Sequence, residues 1–400
     1  MSRVLLLLPS ATYRAPDFLD AAAKLGAEVV VASEHRQALS ESMGDRSLVV
    51  TLGQPERAAA QIAAAGRLDG IVAVDDGGTR AAAFAAERLG LRGNPPAAVE
   101  RARDKALMRV AFAAAGVRQP DFRVASARDD VTAIATELGG PVVVKPLELS
   151  GSRGVIRADD PERAAAAAQR ARAIAGDQRA TLLVERFVPG PEVAVEGLLR
   201  DGRVELLAVF DKPDRLDGPY FEESIYVTPS RLSAEALAAI EATAAAAVKA
   251  LGLREGPVHA ELRVGDGAPV MLELAARSIG GLCSRSLRFG LGISLEELIL
   301  RHALGMPVGW IQRERRASGV LMLPIPRAGV LRAVRGVEEA RELPGVGGVE
   351  ISVAIGQRVE PLPEGERYLG FVFAKATRPE QVEATLREAR ALIVAEIEPA

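Results

Sequence analysis

Two glutamates, Glu261 and Glu273, constrain this chain more than any other feature, because the residues around them set two carboxylates face to face. His259-Ala-Glu-Leu-Arg-Val264 and Val270-Met-Leu-Glu-Leu-Ala-Ala-Arg277 read as two strands joined by the turn residues Gly265-Asp266-Gly267-Ala268-Pro269. Alternation puts Leu262, Val264, Val270, Leu272 and Leu274 on an apolar face, and Glu261, Arg263, Glu273, Ala275 and Arg277 on the other. With the loop centred on Gly267, position 261 sits opposite position 273. Like charges directly opposite in a ladder destabilise it, so a positive group is expected between them. A divalent cation held by oxygen ligands fits. A solvated hairpin whose glutamates pair with Arg263 and Arg277 is the alternative these residues leave open.

The preceding part of the chain alternates strand and helix. Val4 to Leu8, Glu28 to Ala32, Leu48 to Thr51 and Gly70 to Val74 read as short apolar strands, and Asp17 to Leu25, Glu56 to Ala65 and Thr79 to Leu89 as alanine-rich helices. Such alternation predicts a parallel sheet in a doubly wound α/β domain over residues 1–95. No G-x-G-x-x-G follows the first strand, which argues against a dinucleotide-binding oxidoreductase. Asp75 and Asp76 follow a strand, where open α/β sheets gather ligands, although a plain turn or helix cap is the reading these residues favour. The apolar run from Val4 to Leu8 is too short for a secretory h-region. A formal charge of −3 and the lack of any basic block argue against nucleic acid as a partner, and no stretch reaches membrane-spanning length. The single cysteine, Cys283, excludes an internal disulfide framework, suits a cytoplasmic setting, and reads as a small packing residue rather than a nucleophile.

Helix dominates from Ala97 to Pro141, strands return at Val142–Lys145, Thr181–Glu185, Glu192–Leu199 and Val204–Phe210, and a long helix, Ala234–Leu251, leads into the carboxylate hairpin. Beyond residue 310 the strand-like segments Gly319–Leu323, Val349–Val353 and Leu369–Ala374, with a helix at Pro379–Ile393, predict a C-terminal α+β lobe over 311–400.

Chemistry-bearing residues lie along the middle of the chain. Val142-Val-Val-Lys145-Pro146 sets a lysine at the end of an apolar strand, followed by the glycine-rich turn Ser150-Gly151-Ser-Arg-Gly154. Exposed N–H groups of such a turn can close over phosphate oxygens. It is not a P-loop, because Gly-Lys-Ser/Thr is absent. Lys105 follows Asp104, a natural N-cap for a helix ending near Ala115. In Glu185-Arg186-Phe187-Val188-Pro-Gly190 a strand runs into a turn whose backbone can offer the donor–acceptor edge of an adenine, with Glu192 placed to accept from ribose hydroxyls.

The order and spacing of Lys105, Lys145, the loop 150–154, Glu185 to Glu192, Glu261, and Glu273 with Arg277 resemble the ATP-grasp superfamily of carboxylate–amine ligases, over roughly residues 95 to 305. The resemblance implies a central domain over 96–310 of two α+β subdomains (a lid at about 115–190) with ATP between them. Lys105, Lys145, Ser150, Gly151 and Gly154 would meet the phosphates. Glu185, Arg186, Phe187 and Val188 would hold adenine, and Glu192 the ribose. Glu261 and Glu273 would bind Mg²⁺, for which Mn²⁺ could substitute. Lys145 and Arg277 would be the catalytic pair, Arg277 facing the carboxylate and its acyl phosphate. Where many members read Glu-x-Asn-x-Arg, this chain reads Glu273-Leu-Ala-Ala-Arg277, and Ala275 cannot ligate a metal.

Within the superfamily, Glu273-Leu-Ala-Ala-Arg277-Ser-Ile-Gly-Gly281 and the segment Asp211-Lys-Pro…Gly218-Pro-Tyr-Phe-Glu-Glu223…Thr228-Pro-Ser230 resemble the L-amino acid ligases. That likeness implies small-molecule carboxylate and amine substrates, amino acids foremost, with a homodimer as the usual assembly. A phosphoribosylglycinamide synthetase-like ligase shares the same core, and Ala275 keeps a nucleotide-binding module without turnover open. His259, on the same strand face as Glu261, fits either proton transfer or a structural hydrogen bond.

Overall fold

The computed structural model describes residues 1–400 except 10, 11, 37–42, 266, 291, 310 and 400, so Asp266 of the hairpin turn lies outside the described residues. Strands β1 (Arg3–Leu7), β2 (Glu28–Ser33), β3 (Ser47–Val49) and β4 (Gly70–Ala73) form a parallel sheet in the order β3-β2-β1-β4. Both faces of β1 are buried, which is why it reads as an unbroken apolar run. Leu5 and Leu7 pack with Ala58, Ile62 and Ala81, from the helices Pro55–Ala63 and Thr79–Leu89. Val4 and Leu6 pack the other way with Phe18, Leu298 and Ile299, and through them against Phe210 and Met322 of a second sheet.

A four-stranded antiparallel sheet follows, with β5 (Phe122–Ala125), β6 (Val142–Pro146), β7 (Ile156–Ala158) and β8 (Leu182–Arg186) ordered β5-β8-β6-β7. The helices Val131–Leu138 and Pro161–Ile174 cover it with alanine and leucine side chains. Pro146 is the last residue of β6, one beyond the expected strand, and lies opposite Leu182.

The largest sheet has eight strands. β9 (Glu192–Arg200), β10 (Arg203–Lys212), β11 (Ile225–Thr228), β12 (Gly256–Arg263) and β13 (Val270–Ala275) are joined by β14 (Ala317–Leu323), β16 (Val346–Ile351) and β18 (Gly370–Ala376), ordered β13-β12-β9-β10-β11-β14-β18-β16. Strands beyond residue 310 therefore extend the central sheet, with β14 pairing to β11. A small sheet of β15 (Gly329–Arg335), β17 (Arg358–Val359) and β19 (Val394–Glu398) lies beside it. The strand β19 follows the helix Pro379–Leu392 where the sequence reading has none. Among the described residues no helix is long and apolar enough to cross a membrane.

The carboxylate hairpin is β12–β13. Glu261 pairs with Glu273 as its turn predicts, but the register then shifts, so that Leu262 lies opposite Met271 and Leu272 is bulged out. The expected apolar alternation is corrected accordingly: Met271 is fully buried in the core and Leu272 is half-buried. A bulge inserts one residue and exchanges the faces beyond it. We predict that Met271→Ala costs about 2–5 kcal/mol of unfolding free energy, and Leu272→Ala less than about 1 kcal/mol. Chemical denaturation of both variants checks this, and the reverse order would restore plain alternation.

Candidate active site

One face of the central sheet carries the chemistry, and register explains how. Arg263, Glu192 and Lys212 form a row across β12, β9 and β10, and His259 lies opposite Glu196 two rows along. Residues two apart on a strand share a face, so Glu261 joins them. Lys212 reaches this row only because β10 is bulged at Leu207, between the pairs Leu206–Gly197 and Ala208–Glu196.

The Lys212 ammonium donates to Glu192 Oε1 at 2.6 Å, Glu223 Oε1 at 2.5 Å and Glu261 Oε1 at 3.0 Å. Arg263 Nε lies 2.9 Å from Glu192 Oε2. His259 Nδ1 is 2.5 Å from Glu196 Oε1, and its Nε2 is 3.5 Å from Glu261 Oε1. Across the hairpin, Lys105 Nζ is 3.3 Å from Glu273 Oε1. A positive group does lie at each hairpin glutamate, but each is a lysine or histidine. The solvated-hairpin alternative fails, because Arg263 and Arg277 are committed to Glu192 and Asp76.

Charges are crowded here. Burial works against a charged His259, but the Glu196 carboxylate overrides it and lifts the imidazole to about 9, so at neutral pH it is an imidazolium. That favours the structural role over proton transfer. Burial likewise opposes ionised Glu261, and Lys212 nevertheless holds it well below the usual carboxylate range. Glu223 is raised, because burial and its neighbour Glu261 outweigh Lys212. Three cations thus face four carboxylates, and one carboxylate is left short of positive charge. Glu192, Glu223 and Glu261 each bring an oxygen within 4.8 Å of the others, a donor set suited to a hard divalent cation. Both oxygens of Glu192 are already engaged, whereas Lys212 takes one oxygen each of Glu223 and Glu261; the expected ligand Glu273 stands outside this group of three and pairs with Lys105. Ala275 lies opposite His259 on the same face and adds none.

At the other end of the site Lys145 Nζ sits 2.5 Å from Glu185 Oε2, while Arg109 Nε donates to Glu185 Oε1. Glu185 is 2% exposed, so its carboxylate holds Lys145 and has no free oxygen for adenine. Two cations share one carboxylate there, leaving an excess of positive charge beside the glycine turn. The Arg186 and Phe187 N–H groups donate to Asp121 O and Pro141 O, whereas the Val188 N–H has no acceptor among the described residues. Only Val188 thus retains a free backbone donor for an adenine edge. Glu192 is buried in its ion pairs and offers no oxygen to a ribose in this arrangement.

Ser150 and Gly151 are exposed at the tip of the glycine turn. Gly154 is not: its N–H donates to Pro363 O at 3.0 Å, and with φ +67° a Cβ there would lie 2.9 Å from Pro146 Cγ. Gly154 is therefore required by packing, and its expected phosphate contact is replaced by a contact to the C-terminal segment. The same segment holds Arg153 through Glu366 at 3.0 Å and Arg170 through Glu364 at 2.7 Å. Lys105 lies at the start of the helix Lys105–Ala114, whose N-cap Asp104 accepts from Ala106 and Leu107 as expected. Lys105 Nζ also donates to Leu149 O at 2.7 Å, which pins the stem of the turn.

Arg277 donates through Nε to Asp76 Oδ2 at 2.7 Å, and Arg103 lies 3.3 Å from Asp76 Oδ1. Asp76 is thus part of the site rather than a plain turn residue. Lys212, Glu223, Glu196, Arg109 and Asp76 are the residues the sequence reading left without a role. The signal for Lys212 was its position opposite Glu192, which requires knowing the bulge. Cys283 is buried, and burial pushes its thiol far up, as a packing residue requires.

Three family descriptions match in order along the chain: the ATP-grasp N-terminal domain over residues 19–93, the ATP-grasp domain over 138–286, and the L-amino acid ligase C-terminal domain 2 over 321–398. A D-alanine–D-alanine ligase of Gloeobacter violaceus is 33% identical over 214 residues, which cover 50% of this chain and 68% of that protein. The chain belongs to the ATP-grasp family. An alanine–anticapsin ligase of Bacillus subtilis is 31% identical over 239 residues, 54% of this ATP-grasp chain, which spans only 50% of that relative's length. A crystal structure of an L-amino acid ligase from Bacillus licheniformis superposes with a TM-score of 0.81 at 26% identity, over 100% of this chain and 99% of that one.

Burial raises the Asp76 carboxyl, but Arg277 and then Arg103 pull it down to about 2. A depressed carboxyl stabilises the fold above its ordinary value near 3.8, and that contribution is lost as pH falls through about 2. We predict that the stability gap between wild type and Asp76→Asn narrows by about 2 kcal/mol as pH falls across this window. Denaturant titrations along a pH series measure it, and a gap independent of pH would contradict the pairing.

Proposed function

We propose that this chain is an ATP-dependent carboxylate–amine ligase that joins amino acids through an acyl phosphate and releases ADP and phosphate. The observation that carries the reading is the division of charge. A positive excess at Lys145 and Arg109 adjoins the glycine turn, a carboxylate-rich cluster lies at Glu192, Glu223 and Glu261 with Glu273 opposite on the hairpin, and Arg277 stands beside Glu273. That sequence of charges suits a triphosphate, a metal and a reacting carboxylate in turn. The match of residues 321–398 to the L-amino acid ligase C-terminal domain 2 supports amino acids over a phosphoribosylamine as the amine class. We further propose residues 1–95, 96–310 (with a lid at about 115–190) and 311–400 as its working units.

A carboxylate is a poor acyl donor, because oxide is a hopeless leaving group at neutral pH. In the proposed reaction a carboxylate oxygen of the first substrate bonds to the γ-phosphorus, the bond to the β-phosphate oxygen breaks, and ADP leaves. Lys105, Lys145 and the N–H groups of Ser150 and Gly151 spread the charge of the moving phosphoryl group. Glu261 and Glu273, with Glu223 within reach, would hold Mg²⁺, which when bound would neutralise phosphate charge. An amine nitrogen of the second substrate then bonds to the acyl carbon, the bond from that carbon to the phosphate oxygen breaks, and the proton lost by nitrogen leaves on the departing phosphate. Arg277 can stabilise the oxyanion formed on the way. Lys212, already shared by three carboxylates, holds Glu261 ionised as charge moves.

Ala275 favours a second reading, nucleotide binding without turnover, since the position offers no oxygen. One experiment tests both. We predict that ATP, Mg²⁺ and a pair of amino acids give ADP and phosphate in equal amounts. Lys145→Ala should lower that rate at least about 1,000-fold without lowering the melting temperature by more than a few degrees. Nucleotide binding with no amino-acid-dependent ADP release would select the binding module, and AMP as product would exclude an acyl phosphate.

A further inference from the structure

The parallel N-terminal sheet lacks any nucleotide fingerprint, yet its last strand ends against the acyl site. Arg277 Nε donates to Asp76 Oδ2 at 2.7 Å, and the two side chains are only 13% and 14% exposed. On its other oxygen Asp76 takes Arg103 at 3.3 Å. Arg103 in turn donates through Nη2 to the Glu148 carbonyl at 3.2 Å, at the stem of the glycine turn. Arg80, from the same N-terminal unit, grips the Glu148 carboxylate with both Nη atoms at 3.0 Å. The segment after Arg277 is held in the same manner. Arg14 donates from Nη2 to Ser278 Oγ at 2.8 Å and from Nη1 to Val74 O at 2.9 Å, and the Ile279 N–H donates to Glu196 Oε2 at 3.0 Å.

We propose that Asp76 is a positioning residue for the ligation reaction: it fixes Arg277 at the acyl site and, through Arg103, ties that arginine to the stem of the phosphate-binding turn. The physical ground is that a guanidinium on a flexible stem stabilises an oxyanion only when it is already aimed. Asp76 removes that freedom at one oxygen and uses the other to hold the turn at a fixed distance. The N-terminal unit is then part of the catalytic apparatus, and two sites on different elements share one carboxylate. This role rests on the ligase reading above.

The test compares wild type, Asp76→Asn, Asp76→Glu and Arg103→Gln in full-length protein, reading nucleotide affinity by direct titration and the kcat and KM for ATP and for the carboxylate substrate. Asp76→Asn loosens both arms, so its nucleotide affinity should weaken by no more than the roughly tenfold expected of Arg103→Gln while kcat falls roughly 100-fold, as expected for a reacting group mis-set by about 1 Å. Asp76→Glu should recover part of kcat. Arg103→Gln leaves the Asp76–Arg277 pair intact and cuts only the tie to the turn, so the KM for ATP should rise about tenfold while the KM for the carboxylate stays constant. A merely structural Asp76 would lower the melting temperature and leave kcat per folded molecule unchanged, and that result overturns the proposal. If Asp76→Asn does not fold, equal changes in both KM values for Arg103→Gln, or none, overturn it instead. Should wild type itself release no ADP with amino acids, the ligase reading fails and this role with it; a working wild type beside an unimpaired Asp76→Asn rejects the Asp76 role alone.

Discussion

Lys212 is the ion on which the site turns. Its ammonium lies between Glu192, Glu223 and Glu261, and without it three carboxylates would share a buried face with only Arg263 and His259 to balance them. Taking such charges out of water costs several kcal/mol per ion unless each is paired. Other elements repeat the device. Glu196 raises His259 so that a second cation reaches Glu261, Lys105 covers Glu273, and Glu185 is shared by Lys145 and Arg109. Side chains from six strands and one helix, with Glu223 from the segment before β11, are therefore held in place by charge balance. Because that balance still leaves the carboxylate cluster short of positive charge, a further cation is accommodated rather than repelled.

The sequence made the hairpin legible because its turn sets the register and because facing glutamates have few physical explanations. The parallel N-terminal sheet was legible for a similar reason: β1 buries alternate residues into two different cores and so must be apolar throughout. What stayed hidden has a common cause. Bulges at Leu207 and Leu272 invert the faces of β10 and β13, and neither leucine differs from its neighbours in any way a pattern can detect. At plain register Asp211, rather than Lys212, would face Glu192, so the central lysine was missed. Asp76 was missed differently: it meets Arg277 across a separation of 201 residues, and an Asp-Asp-Gly-Gly segment after a strand is an ordinary turn until the partner is known. That Glu185 and Glu192 are ion-paired was not legible, because a carboxylate on a strand looks the same whether it faces a ligand or a buried arginine.

Segments far apart in the chain meet at the glycine turn, and this shapes how the site can move. Its stem is held by Lys105 and Arg103, its Arg153 by Glu366, and its Gly154 by the Pro363 carbonyl. Exposed ion pairs such as Arg153–Glu366 are individually weak, about 1 kcal/mol or less, so the tip at Ser150 and Gly151 is anchored at both ends by contacts that can break and re-form. The Asp76–Arg277 pair is far less exposed. That pair and the exposed tip of the turn thus differ in how much of each is open to solvent.

The central claim is that the substrate carboxylate attacks the γ-phosphate of ATP. Turnover with an amino acid labelled with ¹⁸O in its carboxylate tests it most directly, with the released phosphate analysed by mass. An acyl phosphate requires one labelled oxygen to pass from each carboxylate to each phosphate released with ADP. Label found in AMP, or phosphate released without label while peptide accumulates, would contradict the mechanism.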